Sequence, residues 1–168
     1  ADGSLSPIPF EVPQEPEFHM GGGGLYSVAR DYLTFCRMIL NCGTLEGAQV
    51  LKRETVALMS RNNIGEIKVT RLVTVAPEAS HDAEFFPGME KRWGLGFMIS
   101  TEAVSGRRSA NTLTWAGLGN TYFWIDPASR VAGVILTQIL PFADPTVLRL
   151  YDAFETEIYR QADMPAAA

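Results

Sequence analysis

The chain has 168 residues, 46% of them hydrophobic and 20% charged, which is enough for one globular domain with a real core. Its net charge of −5 argues against a nucleic-acid binder, which would normally carry a basic patch or stripe. No apolar run approaches the roughly 20 residues that cross a bilayer, and the opening residues lack the basic-then-apolar pattern of a signal peptide.

Residues 1–20 carry Pro7, Pro9, Pro13 and Pro16 and read as an extended lead-in, because each proline blocks regular helix. The four glycines 21–24 follow as a hinge or tight loop, and the domain proper runs over residues 21–168. Ser27 is placed to cap the next helix, with Asp31 in its first turn. Val28, Tyr32, Phe35, Cys36 and Ile39 repeat along one face of that helix, and Gly43 supplies its stop. The helix would hold both cysteines, Cys36 and Cys42. Six residues put them about 9 Å apart along the axis, too far for a disulfide, and two unpaired thiols point weakly to a reducing, cytoplasmic compartment. With two cysteines and two distant histidines, no metal-ligand cluster is expected, and no cofactor motif is present.

Residues 52–60 read as a second, short helix, and residues 67–75 as a possible strand ahead of a Pro-rich, acidic loop. From Trp93 the pattern becomes β, with strands expected over residues 93–101, 112–117, 120–125 and 130–138. Asp126-Pro127-Ala128-Ser129 turns between the last two and favours an antiparallel hairpin. Between these strands Arg107-Arg108 reads as a solvated loop pair. Asp144-Pro145 then opens a terminal helix whose Val147, Tyr151, Phe154 and Ile158 face the sheet. The fold class is therefore α+β, an antiparallel sheet flanked by helices.

Three stretches carry a resemblance. They are the glycine run with Leu25-Tyr26-Ser27-Val28-Ala29-Arg30-Asp31-Tyr32; Trp93-Gly94-Leu95-Gly96-Phe97; and Trp115-Ala116-Gly117-Leu118-Gly119-Asn120 leading to Tyr122-Phe123-Trp124-Ile125-Asp126-Pro127. Their order and spacing resemble the second half of the serine β-lactamase and penicillin-binding-protein superfamily, and within it the family VIII carboxylesterases. The resemblance implies an acyl-serine mechanism. A serine in Ser-x-x-Lys attacks an acyl carbonyl, and the lysine and a tyrosine handle protons. It makes Trp115-Ala116-Gly117 the third motif, on the strand that edges the site, and the Leu118 N–H an oxyanion donor. Gly22 and Gly23 become pocket wall. A tryptophan where many β-lactamases have lysine removes a cation that grips a carboxylate, so neutral esters are the expected substrates. A strand tryptophan is otherwise most often a core aromatic.

Departures from the family pattern are as informative. No serine in the chain has a lysine three residues on; Ser27 and Ser105 are followed by Arg30 and Arg108. No Tyr-x-Asn occurs either. His19 and His81 lack a nucleophilic partner, and Asp82, Glu84 and Glu90 read as a solvated face. The chain is thus expected to be the C-terminal portion of a serine hydrolase, inactive alone, whose partners are a small ester or acyl substrate and the N-terminal half of the same fold. Two other readings stand beside it: a degenerate homologue that binds an acyl ligand or a partner, and a structural domain that self-associates through its sheet.

Overall fold

The computed structural model describes residues 3–162. Residues 3–28 form neither helix nor strand, as the prolines require. The first helix, α1, spans Ala29–Leu40, with Cys36, Met38 and Ile39 buried and Tyr32 and Phe35 packed beside them. Ser27 does not cap it. Val28 holds the N-cap position without a side-chain bond, and the Ser27 hydroxyl lies 3.5 Å from the Val28 carbonyl instead. The helix closes in a Schellman arrangement, where Gly43 N–H donates to Met38 O at 2.9 Å and Cys42 N–H to Ile39 O at 2.9 Å. This turn puts Cys42 in the left-handed region (φ 53°), outside the helix expected to hold it, and both cysteines are free.

A small hairpin follows, β1 (Thr44–Leu45) with β2 (Ala48–Gln49), and then α2 (Arg53–Met59), which buries Val56. The strand expected over residues 67–75 does not form. Val73 and Val75 stay exposed, and the segment is held by one bridge, Leu72 to Ala83, and by the Asp82 carboxylate, which takes the Arg71 guanidinium and the Thr74 N–H. The single strand expected over 93–101 is a hairpin, β3 (Lys91–Trp93) and β4 (Met98–Ser100). Gly94 N–H donates to Phe97 O at 2.8 Å to close its turn, and Gly96 takes φ +93°, so the two glycines break the run.

Strands β5 (Thr112–Gly117), β6 (Thr121–Asp126) and β7 (Val131–Ile135) complete a five-stranded antiparallel sheet in the order β3-β4-β5-β6-β7. Alternation sorts β6 onto two faces. Phe123 and Ile125 join Leu113, Ile99 and Phe97 under α1, while Tyr122 and Trp124 pack against Val147, Tyr151 and Tyr159 of α3 (Pro145–Ala162). Gly133 on β7 sits against the Trp124 ring, where any Cβ would overlap the indole. Asp144 caps α3 as expected, accepting from Thr146 N–H and Val147 N–H. The chain is α+β, with an antiparallel sheet between helices. Among the described residues no helix is long and apolar enough to cross a membrane.

The pair Arg107-Arg108 is not a solvated loop pair. Arg108 is fully buried, with Nε 2.7 Å from Glu155 Oε1, Nη2 2.9 Å from Oε2 and 2.9 Å from the Tyr151 hydroxyl, and its guanidinium over the Phe86 ring. Arg107 bridges to Asp152 on the same helix.

Asp126 ends β6 and is fully buried. Burial alone would raise its pKa, but the Ser109 and Ser129 amides and the Tyr159 hydroxyl outweigh it and hold the carboxyl below its usual range. A carboxylate whose pKa is depressed in the native state stabilises the fold above its unfolded value, near ~3.9, and loses that contribution as pH falls through the native value. Asp126→Asn is therefore expected to cost about 1.5–3 kcal/mol at neutral pH. Its deficit in urea unfolding should shrink towards zero on acidification below that unfolded value. A deficit independent of pH would show that packing, and not charge, is what Asp126 contributes.

Candidate active site

The β5 strand has two different halves. β4 pairs with it only from Thr112 to Thr114, whereas β6 pairs with it from Leu113 on to Gly117. Among the described residues, Trp115, Ala116 and Gly117 therefore have a strand partner on one side and an open edge on the other. An open edge presents backbone N–H and C=O groups in a fixed geometry, which is what an oxyanion or an extended ligand requires.

Leu118, Gly119 and Asn120 connect β5 to β6. This is a three-residue hairpin loop whose last residue is left-handed, with Asn120 at φ 57°. Leu118 is half exposed, while Asn120 is fully buried. The Thr137 hydroxyl lies 2.6 Å from Gly119 O and 3.0 Å from Asn120 O, and Ile139 N–H donates to Gly119 O at 3.2 Å. The segment after β7 thus supports the turn from behind.

The Trp115 ring meets Trp93 edge-on, with centroids 4.4 Å apart, and Phe85 at 6.0 Å. It is half-buried and packs against the α1 cluster, so it is a supported aromatic wall at the margin of the open edge. Gly117 faces Thr121, whose hydroxyl occupies the space that a side chain at 117 would need.

Thr121 also lines a cleft of about 550 Å³ together with Leu25, Tyr26, Ser27, Tyr32, Leu136, Thr137 and Gln138. Its walls come from the segment ahead of α1, from α1 itself, from β6 and from the chain beyond β7. The Tyr26 hydroxyl anchors the lead-in, accepting from Val12 N–H at 2.8 Å. Burial, and then the neighbouring Cys36, push the Tyr32 phenol up to about 12, and burial pushes the Cys36 thiol up to about 12. Neither is a base or nucleophile at neutral pH; Tyr32 is a wall and a potential donor.

Of the residues singled out from sequence, Trp115, Ala116, Gly117 and Leu118 are brought together on the open edge and its turn. Gly22 and Gly23 lie in the exposed turn just ahead of the cleft, and a side chain at either would meet nothing within 4 Å. The residues that follow the glycine run line the cleft instead. Sequence reasoning assigned no role to Tyr26, Asn120, Thr137 or Gln138. The polar Thr137-Gln138 pair at the end of an apolar strand was the available signal. Glu90 pairs with Arg92 and Asp82 with Arg71 at the surface. Among the described residues no group of three or more His, Cys, Asp or Glu side chains is placed to hold a metal ion.

The Beta-lactamase family model matches residues 1–157. Acyltransferase calJ of Penicillium decumbens is 28% identical over 166 residues, covering 95% of this chain and 38% of that protein. Lovastatin esterase of Penicillium rubens is 31% identical over 150 residues, covering 84% and 35%. The unliganded simvastatin synthase (LovD) of Aspergillus terreus, in its selenomethionyl form, superposes with a TM-score of 0.60 at 21% identity, covering 80% of this chain and 34% of that one. The chain spans about a third of the length of the curated relatives it matches.

Proposed function

The chain belongs to the beta-lactamase family, and from that premise we propose that it carries the substrate-facing, non-nucleophilic part of an enzyme that moves acyl groups through an acyl-serine. The serine Oγ attacks an ester carbonyl, the alcohol leaves with a proton, and water or a second alcohol takes the acyl group. Relatives are named as an acyltransferase and as an esterase, which supports assigning the half-reaction that the two names share. The nucleophile and its lysine are supplied by sequence outside this chain, since none of its serines has a lysine three residues on. The rest of the fold is then its first partner.

One observation carries the reading: the open half of β5 ends in Trp115-Ala116-Gly117 and runs into the exposed Leu118. Fixed backbone donors on a strand edge stabilise a tetrahedral oxyanion without reorganising. Beside them, the cleft has the size of a small-molecule site and a mixed lining, with Leu25, Tyr26, Tyr32 and Leu136 beside Ser27, Thr121, Thr137 and Gln138. Such a wall suits the uncharged acyl or alcohol part of an ester, and Trp115 offers no cation to hold a carboxylate.

The test is hydrolysis of p-nitrophenyl butyrate by the complete polypeptide, with the acyl adduct followed by mass spectrometry. We expect turnover and a covalent adduct there, and no rate above a buffer control for residues 1–168 alone. Absence of any adduct on the complete polypeptide would sink the reading. Within it, Trp115→Lys is expected to weaken turnover of neutral esters and improve recognition of carboxylate-bearing ones, a gain that added salt should blunt. Equal losses on both classes would reduce Trp115 to a core aromatic.

A further inference from the structure

We propose that Asn120 is the positioning residue of this site, holding the Leu118 amide in place by tying the β5–β6 turn to the start of α3; the proposal rests on reading Leu118 as an oxyanion donor. A carboxamide offers two N–H donors and two acceptor lone pairs, and Asn120 uses all four. Its Nδ2 donates to Ile139 O and Pro141 O, each at 2.8 Å. Its Oδ1 accepts from the Tyr122 hydroxyl at 2.8 Å and from Asp144 N–H at 2.9 Å. Full burial makes every one of these bonds costly to lose.

The backbone alone does not demand this residue. A left-handed φ of 57° is met equally well by glycine. What asparagine adds is the link. Tyr122, stacked on Tyr151 at 4.9 Å, fixes it to the α3 face of the sheet, and Asp144 is the residue that caps α3. Three segments of the chain therefore meet on one side chain two residues from Leu118. With Thr137 holding Gly119 O, the turn is clamped at the half-buried Gly119 and at the buried Asn120 while Leu118 stays at the surface.

The experiment uses the complete polypeptide with p-nitrophenyl butyrate. Asn120→Gly keeps the backbone conformation and removes all four bonds, while Asn120→Asp keeps the shape but turns acceptors towards the Ile139 and Pro141 carbonyls. A displaced reacting group can cost about 10²-fold in rate, so in both variants we expect kcat to fall by about that factor with KM little changed. Both are to be measured well below the melting temperature of each variant. A role confined to stability would lower the melting temperature and leave kcat of the folded protein near wild type, and that result would overturn the proposal. An inactive wild type, with no acyl adduct, would bring down the esterase reading itself, an outcome that needs no variant to recognise.

Discussion

Glu155→Ala is expected to lower the free energy of unfolding by about 3–5 kcal/mol, because it leaves the Arg108 guanidinium buried without its counter-charge. Both side chains are fully buried, and the contact is bidentate, which gives directional bonds as well as charge. The Tyr151 hydroxyl already accepts from Nη2, and the Phe86 ring covers one face of the guanidinium. A double replacement, Arg108→Met with Glu155→Leu, removes both charges and roughly conserves volume. It should recover most of the loss, since exchanging a buried pair for apolar packing is often neutral. Urea unfolding of the two variants beside wild type checks both halves of the claim. A single variant within about 1 kcal/mol of wild type would mean that water reaches the guanidinium and that the pair is not isolated.

The largest effect on catalysis is expected at a backbone atom. If the Leu118 N–H stabilises the oxyanion, the side chain matters less than the amide. In the complete polypeptide Leu118→Ala should be mild, while Leu118→Pro deletes the donor and should reduce kcat by about 10²–10³, or about 2.7–4 kcal/mol. Leu118 lies beyond the last ladder pair, Gly117 with Thr121, so proline there removes no strand partner. Circular dichroism and melting of the proline variant establish that it is folded before its rate is read. A folded proline variant with near-normal kcat would take Leu118 out of the mechanism.

The sequence was readable where a residue's neighbours in space are its neighbours along the chain. The β5 bounds, Thr112–Gly117, match the expected strand, because alternation over six residues is a local signal. The α1 stripe and the Asp144 cap are local too. The misreadings share the opposite property. Arg108 looked solvated because its carboxylate lies 47 positions away on α3, in a helix whose buried face is Val147, Tyr151, Glu155 and Tyr159 and not the all-apolar stripe expected. Residues 67–75 have the composition of a strand, but a strand needs an edge to join, and only the bridge at Leu72 is offered. At the candidate site, Trp115-Ala116-Gly117 stands out in the sequence through family likeness alone. The clamp on Asn120 does not, since an asparagine in a turn is ordinary and its partners at 139, 141 and 144 arrive from beyond the next strand.

The halving of β5 bears on how such a protein could change over time. Leu113 and Thr114 are held by strands on both sides, so their replacement is judged by folding. Three residues later the same strand answers to one neighbour. Ala116 still packs against the Tyr122 and Trp124 cluster, whereas the exposed Leu118 just past the strand can change without unpairing β4, and on the proposed reading a change there bears on the ligand before it bears on the fold. Specificity can drift at one end of the strand while the other end keeps the architecture constant.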